Sequence, residues 1–129
     1  MTTPTVTEAR QAVAAAINSV VVAGTPTLAV SLQPRSEQRA GQGWTQPPTL
    51  EPAAFGGINS ATLSAVVALG TELLRADELY SAWASPVLTA VTSAVASIDA
   101  AVTPEQLLAG DGVTAAVYVL VVTLTLEVR

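Results

Sequence analysis

The sequence predicts an α+β domain, a mostly antiparallel sheet of about four strands with helices packed on one face. Three observations carry that expectation. From Thr114 to Val128 two sets of residues alternate, with Ala116, Tyr118, Leu120, Val122, Leu124, Leu126 and Val128 on one face and Val117, Val119, Val121, Thr123, Thr125 and Glu127 on the other. Ser60 to Leu69 alternates in the same way, with Ala61, Leu63, Ala65, Val67 and Leu69 on one side. Near the N-terminus and again after Glu78, apolar residues recur at spacings of three and four, the period of a helix with one buried stripe.

Thr5-Val6-Thr7-Glu8 fits a capping box, in which the Thr5 hydroxyl accepts from the amide three residues on and Glu8 accepts from the amide of Thr5. A helix follows, with Ala9, Val13, Ala16, Ile17 and Val20 as its buried stripe and Arg10, Gln11 and Asn18 facing outward. Val20-Val21-Val22 and then Gly24-Thr25-Pro26 end it. Leu28, Val30 and Leu32 form a short half-buried strand, closed by Pro34, which has no amide for a ladder.

From Gln33 to Gly57 the pattern breaks, and four prolines and four glycines predict a long irregular segment. Loops of that length are usually functional, or disordered when free. Two features in it suggest partner contact: Trp44, one of two tryptophans, and the Arg35-Ser36-Glu37-Gln38-Arg39 charge cluster. The alternative is that Trp44 folds back on the protein and the charges are solvated.

After the second strand, Gly70 to Asp77 reads as a turn region. Leu79, Tyr80, Trp83, Val87, Leu88, Val91, Val95 and Ile98 then continue at helical spacing, with Trp83 and Tyr80 in the core. Ser85-Pro86 has the form of a helix start, which predicts a kink or a second helix there. Asp99-Ala100-Ala101 ends the helix, Val102 to Leu108 is a short strand, and Gly110-Asp111-Gly112 supplies a tight reversal into the last strand. At ~3.3 Å per residue that last strand spans roughly 50 Å, so it should be bent, bulged or paired with more than one neighbour. Its second face passes from Val to Thr to Glu, as if one end were covered and the other solvated.

At 129 residues the chain is a single domain, residues 1–129. Half of it is hydrophobic, yet only 4% is aromatic and 12% charged, so the core is made of small side chains. Low surface charge with high apolar content fits a surface partly buried against another subunit, or a compact monomer with an alanine-rich core.

The chain has no Cys, His or Lys. That removes disulfides, thiolate metal sites, the usual general base near neutral pH and the Schiff-base amine. Glu72, Asp77 and Glu78 are neighbouring carboxylates, but Asp77 and Glu78 sit where a helix N-terminus favours negative charge whatever the function. Gly56-Gly57 and Gly110-Asp111-Gly112 lack the ending of a phosphate loop. The expectation is a protein that is not an enzyme and uses no cofactor or metal. The five basic residues, all arginine, are scattered among ten carboxylates, which leaves no footprint for gripping nucleic-acid phosphates. The longest apolar run, Ala115 to Val122, is too short for a membrane helix, and the N-terminus has no signal-peptide pattern, so a soluble protein is expected.

In layout the chain resembles the tail terminator, or tail-completion, proteins of long-tailed bacteriophages, particularly those infecting actinobacteria. The likeness rests on an amphipathic helix from Thr7 to Ser19, a strand, a Pro- and Gly-rich excursion and a strand SATLSAVVALG from Ser60 to Gly70. A helix beginning near Ala76-Asp77-Glu78-Leu79 and the terminal GDGVTAAVYVLVVTLTLEV from Gly110 to Val128 complete it. The resemblance implies a structural virion protein at the head-proximal end of the tail, assembled in the host cytoplasm. It would form a hexameric ring that caps the tail tube, ends its polymerisation and joins it to the head-side connector, with DNA passing through unbound. Arg35, Glu37, Arg39 and Trp44 are the candidate contacts with a neighbouring subunit or partner. A head-completion or head–tail joining neck protein, and more remotely a small dimeric ligand-binding module, are the alternatives.

Overall fold

The computed structural model describes residues 3–32, 39–52, 59–108 and 116–129. Along the chain these form α1 (Val6–Asn18), β1 (Ala29–Ser31), β2 (Gln42–Thr45), β3 (Thr49–Glu51), β4 (Asn59–Gly70), α2 (Leu73–Ala94), β5 (Asp99–Leu108) and β6 (Ala116–Val128). One sheet runs β1-β2-β4-β6-β5, with β3 also paired to β4. Among the described strands, only the β1–β2 pair is parallel. The fold is α+β, as the periodicities predict, and both helices pack on the same face of the sheet.

The long last strand has the two partners its length calls for, β4 along one side and β5 along the other. Its apolar set lies opposite that of β4, with Ala61 facing Leu126, Leu63 facing Leu124, Ala65 facing Val122 and Val67 facing Leu120. In two of these four pairs an alanine sits beside a larger side chain, which leaves room for the helices to seat between them. The ladder slips between Ala68 and Gly70, where Gly70 takes φ 102°, a conformation that only glycine adopts without strain. α1 contributes Ala9, Val13 and Ile17 to the core, and α2 contributes Ala76, Leu79, Trp83, Val87 and Val91. The two helices are antiparallel neighbours: Arg75, in the first turn of α2, donates to the carbonyl of Gly24, beyond the end of α1.

The capping box is present. Thr5 Oγ1 accepts from the Glu8 amide and Glu8 Oε1 accepts from the Thr5 amide, each at 3.2 Å, while Arg129 Nη2 donates to the same carboxylate oxygen at 3.2 Å. The Thr5 amide first, then the Thr5 side chain and Arg129, hold the Glu8 pKa below its ordinary value. A carboxylate whose folded pKa is depressed stabilises above its unfolded pKa, and that contribution is lost as pH falls through the lowered folded value. Wild type should therefore melt above Glu8→Gln at neutral pH, and the gap should close as the pH is taken down through the carboxylate range. Thermal melts of both proteins along a pH series check this.

Four sequence expectations need correction. The sheet has six strands rather than about four, because β2 and β3 lie inside the segment expected to be irregular. Each is short and depends on cross-strand pairing to β4 rather than on an apolar run of its own, and Pro47 and Pro48 fall in the break between them. Ser85-Pro86 starts no second helix: α2 continues through Pro86. An interior proline costs about 3 kcal/mol in an isolated helix, but the stripe from Ala76 to Val91 keeps one buried face on both sides of it, and that packing prevails.

α2 also begins earlier and ends earlier than the periodicity suggests. It starts at Leu73, so Asp77 and Glu78 are in its second turn, and Glu78 accepts from Arg75 at 3.1 Å. It stops at Ala94 with Val95 already extended, so Asp99-Ala100-Ala101 opens β5, and Ile98 is 66% exposed rather than part of the stripe. Finally, Arg10 is only partly exposed and turns onto the sheet, while Asn18 is exposed as expected yet also bonds β1, as described below. The reversal at Gly110-Asp111-Gly112 lies outside the described residues.

Candidate interaction surfaces

Because both helices occupy one face, the other face of the sheet is built by the second set of each strand. Trp44 on β2 is opposite Val66 on β4, and Val66 is opposite Val121 on β6. Val66, Val119 and Val121 are buried there as a second small cluster, with Trp44 and Val117 packed against it. Further along, Ser64 faces Thr123, Thr62 faces both Thr49 and Thr125, and Ser60 faces Glu51 and Glu127. The charges that strand register places on this face are Glu51, Asp99, Glu105 and Glu127, all carboxylates.

Three arginines are held on the opposite side. Arg129 reaches Glu8, Arg75 reaches Glu78 and the Gly24 carbonyl, and Arg10 Nη2 donates to the Leu32 carbonyl and to Thr45 Oγ1, both at 2.9 Å. Thr45 is the buried polar residue on which Arg10 closes. The change from Val to Thr to Glu along β6 thus corresponds to a covered end and a solvated end, as expected.

Of the candidate contacts, Arg35 and Glu37 lie outside the described residues. Arg39 is exposed at the entry to β2, where its carbonyl accepts from the Gln42 amide at 2.9 Å. Trp44 is half-buried on its own valines, on the face away from the helices and outside the main core. No local signal marks Arg10 or Asn18, because their partners are 12 to 35 residues distant.

Asn18 closes the β1 edge of the sheet. Its Nδ2 donates to the Val30 carbonyl at 3.1 Å and its Oδ1 accepts from the Val30 amide at 2.6 Å, so one side chain takes the place of a neighbouring strand. Asn18→Ala should cost about 1–2 kcal/mol, since it leaves both backbone groups of Val30 without protein partners. Urea denaturation measures that cost, and an unchanged midpoint would show the clamp to be dispensable. The other edge, β5, carries Pro104, which an edge strand tolerates, and Tyr80 donates its hydroxyl to the Val102 carbonyl at 3.0 Å. Neither edge is a bare template for another strand.

A groove of about 400 Å³ lies where the start of α1 meets the end of α2. Ala9, Ala12, Ala94 and Ile98 supply apolar walls, and Glu8 and Glu127 also line it, Glu8 being paired with Arg129. Among the described residues no cluster of three metal-ligating side chains occurs, and no helix is long and apolar enough to cross a membrane. No family model matches the chain, and neither a curated protein nor a solved structure is detectably similar to it.

Proposed function

We propose that this protein is a structural subunit, a ring-forming tail terminator of a long-tailed bacteriophage. It caps the tail tube, ends its polymerisation and joins it to the head-side connector, and it performs no chemistry of its own. The observation that carries the reading is the helix-free sheet face, whose placed charges are all carboxylates. A surface of that sign beside a passing duplex repels phosphates instead of holding them, which suits a ring through which DNA moves. The order of α1, β1, a Pro- and Gly-rich excursion, β4, α2 and the terminal β6 is also the layout on which the resemblance rests.

Native mass spectrometry of the purified protein, with negative-stain images of the same sample, tests this. A hexamer with a central hole that binds tail-tube subunits is the expected result. Rings that bind the portal and ignore the tube would make the protein a head–tail joining subunit. A stable closed dimer would overturn the ring reading.

A further inference from the structure

We draw no further inference here: the strongest candidate, the patch that half-buried Trp44 makes with Val66, Val117, Val119 and Val121 on the helix-free face of the sheet, is an unpartnered apolar face, and nothing in the structure shows what covers it.

Discussion

Gly43→Ala is expected to be among the most disruptive single-methyl changes in the chain. A Cβ built on Gly43 would run into the Val66 carbonyl oxygen and lie 3.0 Å from the Val66 carbonyl carbon and 3.1 Å from the Val67 Cα. All three are backbone atoms of β4, the central partner of β2. A side chain in the way can change rotamer, but a sheet backbone moves only by giving up ladder bonds, so the methyl must push β2 off β4. That displacement carries further. β2 holds Trp44 over Val66 and Thr45 under Arg10, and it is the strand to which β1 is paired. We expect a loss of at least about 3 kcal/mol, the upper end for overpacking, because three neighbours are lost together. Urea denaturation gives the size of the effect, and hydrogen exchange at 29–31 and 42–45 gives its location. A variant within 1 kcal/mol of wild type, with those amides still protected, would show that β2 and β4 are not so close.

Trp83→Ala is the second large effect. Trp83 is fully buried on the inner face of α2, and its Nε1 donates to Thr25 Oγ1 at 3.2 Å. It is the largest of the fully buried side chains among the described residues, in a core otherwise made mainly of Ala, Val and Leu, so its smaller neighbours do not fill the space it would leave. Truncation should cost about 3–5 kcal/mol. Set against the 5–15 kcal/mol typical of a domain, this leaves it close to unfolding at ambient temperature. Trp83→Phe retains most of the volume and gives up the hydrogen bond, for roughly 1–2 kcal/mol. Since Trp44 is the other tryptophan, a Trp44→Phe background makes fluorescence report on Trp83 alone. A Trp83→Ala variant as stable as wild type would contradict its place in the core.

The periodicities of α1, β4, α2 and β6 were legible because each depends on neighbours along the chain. Alternation at Ser60 to Leu69 and Thr114 to Val128, the stripe from Ala9 to Ile17 and the Thr5–Glu8 box all place apolar side chains on one face by backbone geometry alone, and burial of that face made them α+β. What tertiary structure decided are the features whose partners are far away in sequence. β2 and β3 exist as strands because β4 offers them a ladder, α2 runs through Pro86 because Trp83 and Val87 share one buried face, and Trp44 finds its place on valines contributed by β4 and β6. Arg10 and Asn18 had the composition of an outward helix face, and only the fold brings Thr45 and Val30 to them. The physical reason is the same in each case. Local pattern specifies which face of an element avoids water, whereas the surface that covers that face, and the polar groups that happen to border it, exist only once the chain has closed on itself.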